Sequence, residues 1–207
     1  MNPQLPTLNS QLSTSGRHRA VFLDRDGTIC EEVGYLNSIH QMRLIPQAGE
    51  AVKLLNQKGF KVVVITNQSG VARGYFPESI LKEVHGEMIR LLREEGAYLD
   101  AIYYCPHHPS EGFPPYIQEC HCRKPAIGLL LKAAEDLDLD LSSCCMIGDH
   151  ISDVECGQRI GGKTILLLTG HGAEAMAKIE SCSQPPSYIA ADLHEAVHWI
   201  LQHPEKT

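Results

Sequence analysis

The chain has 207 residues, 43% of them hydrophobic and 21% charged, with a net charge of −7. That length supports one domain with a sizeable core, and the composition is ordinary for a globular protein. The negative balance argues against a nucleic-acid partner, which calls for a basic face, and no apolar run is long enough to span a membrane.

Taken in chain order, the residues up to Gly16 are rich in Ser, Thr, Pro, Asn and Gln and lack the apolar block of a secretory signal. They read as a disordered tail, set at residues 1–18, ahead of a single domain at 19–203. With no export signal, a cytoplasmic protein is expected. The apolar run Ala20–Leu23 reads as a buried strand that opens into Asp24-Arg25-Asp26-Gly27-Thr28. A carboxylate at such a strand end can attack a phosphoryl group. A second one two residues on can pass a proton to the leaving group, and the pair can help hold a divalent cation. Asp24 is the candidate nucleophile and Asp26 the candidate acid and base; alone, the pair would also suit a polar turn.

A helix follows at Gln47–Lys58, then a strand at Lys61–Thr66 that ends in Thr66-Asn67-Gln68-Ser69-Gly70. Hydroxyl and backbone N–H groups there can hold phosphate oxygens, or cap a helix. The pattern continues with a helix at Pro77–Glu95, a strand at Ala101–Tyr104, a helix at Ala126–Leu137, a strand at Cys144–Ile147 and a helix at Ile151–Arg159. It closes with strands at Thr164–Leu168 and Ser187–Ala190 and a helix at Asp192–Leu201. Pro77 suits a first helical turn, and Gly59 and Gly96 suit helix ends. Alternating strands and helices predict an α/β fold, a Rossmann-like parallel sheet flanked by helices. In such sheets ligands bind where the carboxyl ends of the strands converge, and the polar motifs fall there repeatedly. Only about twenty residues join Asp26 to the first long helix, too few for a large cap domain.

The loop after the third strand carries Cys105-Pro106-His107 and, twelve residues on, Cys120-His121-Cys122. Two short ligand pairs joined by a loop predict a closed tetrahedral Zn²⁺ site of Cys105, His107, Cys120 and Cys122, structural because no position stays open. His108 and His121 compete; the spacing within each pair favours His107. Cys30, Cys144, Cys145, Cys156 and Cys182 are left as small, mostly core residues. Arg123-Lys124-Pro125 follows at once: Lys124 can neutralise a phosphoryl group and Arg123 can fork onto a substrate oxygen. After the fourth strand, Asp149 is a candidate Mg²⁺ ligand beside Asp24 and Asp26. Asp153 supports the loop or contacts substrate.

Together, FLDRDGTI, Glu32-Val33-Gly34-Tyr35, VVVITNQSGVARG, IYYCPHHP and CHCRKP resemble the phosphatases of the haloacid dehalogenase superfamily, over Arg19 to about Thr169. The Cys/His loop narrows the resemblance to the heptose bisphosphatases and the histidinol-phosphate phosphatases. Its length, Ser69 in place of an Asp, and Gly34-Tyr35 side with the former. The resemblance implies a capless, mainly monomeric, Mg²⁺-dependent enzyme acting through an aspartyl-phosphate. It would remove the 7-phosphate of a heptose bisphosphate and leave the 1-phosphate, on the route to nucleotide-activated heptose. It further implies that Thr66 and Lys124 stabilise the phosphoryl group, while Glu32, Val33, Gly34, Tyr35, Asn67, Gln68, Ser69 and Arg123 line the sugar and distal phosphate. Two positions depart from that pattern: His150 stands where Lys is common, and Ser152-Asp153 where Glu-Asp is.

Overall fold

The computed structural model describes residues 18–179 and 184–204. Cys182 and residues 1–17 of the expected tail lie outside them. The described chain begins at His18, one residue before the expected domain start, where its backbone bridges to Leu139.

Six strands form one parallel sheet: β1 (Ala20–Leu23), β2 (Lys61–Asn67), β3 (Ala101–Cys105), β4 (Cys145–Gly148), β5 (Lys163–Leu167) and β6 (Tyr188–Ala190), in the order β3-β2-β1-β4-β5-β6. The helices are α1 (Ala48–Gln57), α2 (Ser79–Glu94), α3 (Gly128–Leu137), α4 (Ile151–Arg159), α5 (Gly172–Ala177) and α6 (Leu193–Gln202). The expected α/β architecture is therefore present, with most boundaries within two residues. Two differences have local causes. Helix α3 starts at Gly128, two residues late, because Ala126 N–H first closes a turn onto the Arg123 carbonyl. Helix α5 was not foreseen; six residues are too few to show a helical period.

Strand β1 shows how the sheet is buried. Val21 and Leu23 face a core shared with α1, α2 and α6, and Ala20 and Phe22 face another shared with α3 and α4. All four are 0% exposed, so a strand without polar alternation is covered on both faces. Each such side chain of Val or Leu size stabilises by about 1.5–3 kcal/mol. Cys30, Cys144, Cys145 and Cys156 are buried free thiols within these two cores.

Residues 27–47, between β1 and α1, hold only a short 3-10 turn (Ile39–Gln41). They leave the carboxyl edge of the sheet without a cap domain. The strand order reverses between β1 and β4, and the gap this opens beyond their carboxyl ends is where α/β sheets accept ligands.

Candidate active site and metal centre

A cavity of about 470 Å³ sits in that gap. Its wall includes Asp24, Asp26, Glu32, Gly34, Tyr35 and Arg123, together with Thr66–Gly70, Lys124 and His150. Two expected substrate contacts are absent from it. Val33 is 42% exposed and lies outside the wall. Asp153 is 1% exposed and both of its oxygens are engaged: Oδ2 accepts the His150 N–H at 3.0 Å, capping α4, and Oδ1 lies 2.6 Å from Lys124 Nζ. Of its two expected roles, the geometry gives it the supporting one.

Asp24 is anchored at the end of β1 by its own N–H, which donates to the Ile147 carbonyl at 3.0 Å. Lys124 Nζ lies 3.0 Å from Asp24 Oδ1. Burial pushes the Asp24 carboxyl up to about 7 against the pull of Lys124, and Asp153, Asp149 and Asp26 add to the rise. Burial alone would lower the Lys124 pKa, but Asp153 and Asp24 outweigh it and the ammonium is held above its ordinary range. Asn67 fixes the lysine's backbone: its Oδ1 accepts the Lys124 N–H at 3.0 Å and its Nδ2 donates to the Lys124 carbonyl at 3.1 Å. Its amide is spent on positioning Lys124.

Asp149 is 0% exposed. Its carboxylate accepts the His171 N–H at 2.7 Å and lies against the backbone of Gly27 and Gly170, where an added Cβ would come within 2.1 and 2.2 Å of Oδ2. Only glycine leaves room for the carboxylate at these two positions. His150 Nδ1 sits 3.1 Å from Asp149 Oδ1. That hydrogen bond, opposed by burial and reinforced by Asp149, Asp153 and Asp24, raises the imidazole to about 9. The imidazole therefore holds its proton more firmly than an isolated histidine, through its contact with Asp149.

Ligating atoms of Asp24, Asp149, His150 and Asp153 all lie within 4.8 Å of one another. Three nearly buried carboxylates around one buried ammonium leave an excess of negative charge, and oxygen donors suit Mg²⁺. Asp26 does not bring its carboxylate to this group. Arg25 forks onto it, Nε to Oδ1 at 2.9 Å and Nη2 to Oδ2 at 2.7 Å, and Gln68 Nε2 donates to Oδ2 at 2.9 Å.

Arg25 is the residue that motif reading missed. It is 1% exposed, and besides Asp26 it reaches Gln68 Oε1 at 2.9 Å and His85 Nε2 at 3.2 Å. An arginine cannot accept, so His85 Nε2 does, and its ring is neutral. Burial, followed by Arg25, lowers the His85 pKa to about 4. As pH falls from about 6.5 towards 4, the unfolded chain takes up a proton that the folded one refuses, so stability drops across that window. Urea unfolding at stepped pH should show the drop, and His85→Gln, which keeps an acceptor, should flatten the slope by up to one proton.

The second cluster is the thiolate–imidazole group. Cys105 Sγ lies 3.5 Å from Cys120 Sγ and 3.1 Å from Cys122 Sγ; Cys120 and Cys122 are 3.3 Å apart. His107 Nδ1 is 3.3 Å from Cys122 Sγ and 3.7 Å from Cys105 Sγ. A disulfide would need about 2.05 Å, whereas four ligands on a tetrahedral Zn²⁺ stand roughly 3.5–3.8 Å apart. The donor set and its near-tetrahedral spacing fit zinc. His108 accepts the Glu111 N–H at 2.9 Å through Nδ1 and meets Arg73 through Nε2, and His121 is exposed, so neither competes. The loop is pinned at its far side by Tyr116, whose hydroxyl donates to Glu78 at 2.7 Å.

Comparison with known proteins places this geometry in context. Residues 121–196 match the HAD-hydrolase-like family model. The chain is 39% identical over 193 residues, 90% of its length and 96% of the relative's, to the D-glycero-D-manno-heptose-1,7-bisphosphate 7-phosphatase of Chlorobaculum tepidum. It is 43% identical over 159 residues, 76% of its length and 87% of the relative's, to the D-glycero-beta-D-manno-heptose-1,7-bisphosphate 7-phosphatase of Haemophilus ducreyi. The crystal structure of D,D-heptose 1,7-bisphosphate phosphatase from B. bronchiseptica, complexed with magnesium and phosphate, superposes with a TM-score of 0.78 at 32% identity, covering 89% of this chain and 98% of that one.

Proposed function

Because the chain belongs to the D-glycero-D-manno-heptose-1,7-bisphosphate 7-phosphatase family of haloacid-dehalogenase-like hydrolases, we propose that it cleaves the 7-phosphate of that sugar bisphosphate and leaves the 1-phosphate. It is a phosphatase, a phosphoric monoester hydrolase. The heptose 1-phosphate product would serve nucleotide-activated heptose and lipopolysaccharide core synthesis. The observation that carries the reading is Asp24, held at the strand end 3.0 Å from a buried Lys124, in a cavity whose wall offers a second cation, Arg123.

Asp24 Oδ attacks phosphorus in line, the bond from phosphorus to the sugar C7 oxygen breaks, and Asp26 gives its proton to the departing alkoxide. Asp26 then takes a proton from a water that attacks the acyl-phosphate and frees inorganic phosphate. Arg25 and Gln68 hold Asp26 in one orientation at the cavity wall. Lys124 and the Thr66 hydroxyl stabilise the charge on the phosphoryl oxygens. A Mg²⁺ held by Asp24 and Asp149 would supply positive charge to the same oxygens and keep Asp24 ionised. Zn²⁺ on Cys105, His107, Cys120 and Cys122 would be structural. Ser69 and Arg123, with Glu32, Gly34 and Tyr35, face the sugar and its distal phosphate.

The test measures phosphate release from the α and β anomers of the heptose bisphosphate and from histidinol phosphate, with Mg²⁺ and with EDTA. One phosphate per heptose bisphosphate, Mg²⁺-dependent and with the 1-phosphate retained, supports the proposal. Faster release from histidinol phosphate moves the enzyme to that substrate.

A further inference from the structure

Outside both clusters, the C-terminal helix carries a pair of imidazoles that the phosphatase chemistry does not use. His194 and His198 lie one turn apart on α6, a spacing that stacks side chains on one helix face. Their Nε2 atoms are 3.3 Å apart. Two imidazole nitrogens bound to one tetrahedral cation at about 2.0–2.1 Å stand roughly 3.3–3.4 Å from each other. The same two rings share a cavity of about 650 Å³ with Glu50 of α1 and Glu95, which follows α2, but neither carboxylate comes within 4.8 Å of both imidazoles, so the two nitrogens are the donors the protein offers there. Lys53 also lines it, which disfavours a purely electrostatic site for any cation and leaves selection to the nitrogen donors. None of these residues lines the phosphatase cavity.

We propose that His194 and His198 form a two-imidazole surface site for a borderline transition cation of the Zn²⁺, Ni²⁺ or Cu²⁺ class, water completing its shell, and that its occupancy staples the turn of α6 that carries them. Imidazole nitrogens suit these ions, whereas Mg²⁺ prefers oxygen and keeps its waters. A bare N–H···N hydrogen bond between the two rings is the alternative account of their approach.

The test is calorimetric titration with Ni²⁺ of the whole chain, its thiolate cluster already loaded with zinc, in the presence of Mg²⁺. Wild type is compared with His198→Gln and with the double variant His194→Gln, His198→Gln. Both positions lie on the surface side of α6, and Gln is a good helix former, so the fold should hold. The expected result is a site of one Ni²⁺ per chain, weakened at least tenfold by the single change and lost in the double one. Ni²⁺ should raise the Tm of wild type but not of the double variant, with Mg²⁺-dependent phosphatase activity unchanged. With Cu²⁺, electron paramagnetic resonance should show coupling to two nitrogens in wild type only. Equal Ni²⁺ affinity in wild type and double variant, or no Ni²⁺ binding by wild type, overturns the proposal and leaves the hydrogen-bonded pair.

Discussion

Asp24→Asn should reduce turnover by at least about 10⁴-fold, the scale seen when a catalytic nucleophile is removed from a working site, while the protein stays folded. Both halves follow from the same surroundings. An amide cannot form the acyl-phosphate, and the guanidinium of Arg25, the next residue, is no nucleophile. The fold is spared because Asp24 is an electrostatic burden on it: burial and three neighbouring carboxylates push its carboxyl up to about 7. Removing that charge relieves repulsion at the cost of one contact with Lys124, which keeps Asp153 at 2.6 Å. The Tm of Asp24→Asn should therefore match or exceed that of the wild type, and its Mg²⁺ affinity should fall. Phosphate release, a thermal melt and Mg²⁺ calorimetry on one preparation check all three. Turnover within tenfold of wild type would remove Asp24 as the nucleophile.

Cys120→Ser should have the largest effect on stability. A structural Zn²⁺ in zinc-dependent peptides is worth on the order of 10 kcal/mol of binding free energy, which in a larger domain with its own core is coupled to folding only in part. Part of the Pro-rich loop has other anchors, the Phe113 N–H on the Ala72 carbonyl and Tyr116 on Glu78, so the loop should loosen and the sheet should survive. We expect zinc content to fall from about one per chain to near zero; with each kcal/mol lost moving a domain of this size by about 2–4 °C, loss of about a third of the binding free energy to the domain as a whole lowers the Tm by roughly 10 °C. Activity should fall with it. Cys122 is two residues from Lys124, and Arg123 donates to the carbonyl of His107, so a Zn²⁺ held by the four residues would fix the stretch of backbone from which Lys124 projects. Metal analysis, a melt and turnover separate the outcomes; full zinc and unchanged melting would refute the cluster.

Much of this is legible in the sequence itself. Strand β1 is apolar on both faces and ends at Asp24, and Cys105, His107, Cys120 and Cys122 sit in two short pairs; each is a local pattern, and the structure brings the four Cys/His side chains together. What could not be read is what each side chain does with its hydrogen bonds. Asn67 is next to Thr66 in sequence, yet its amide is spent on Lys124, 57 positions away. Asp153 follows Asp149 closely enough to look like a substrate contact, but its oxygens are consumed by Lys124 and the start of α4. Arg25 lies between the two aspartates, and nothing in its sequence neighbourhood marks it. No local rule separates a guanidinium in water from one folded inward onto Asp26, Gln68 and His85; only the approach of β2 and α2 makes that difference.

The two ends of the described chain share a pole of the molecule. His18 bridges to Leu139 just before β1 begins, and α6 runs back until the Lys163 ammonium, at the start of β5, donates to the carbonyl of His203. The cavity opens at the opposite pole, beyond the carboxyl ends of the strands. His18 and Pro204, where the described chain begins and ends, therefore lie on the back of the catalyst. Immobilising the protein through His18 or Pro204 leaves the mouth facing bulk solution.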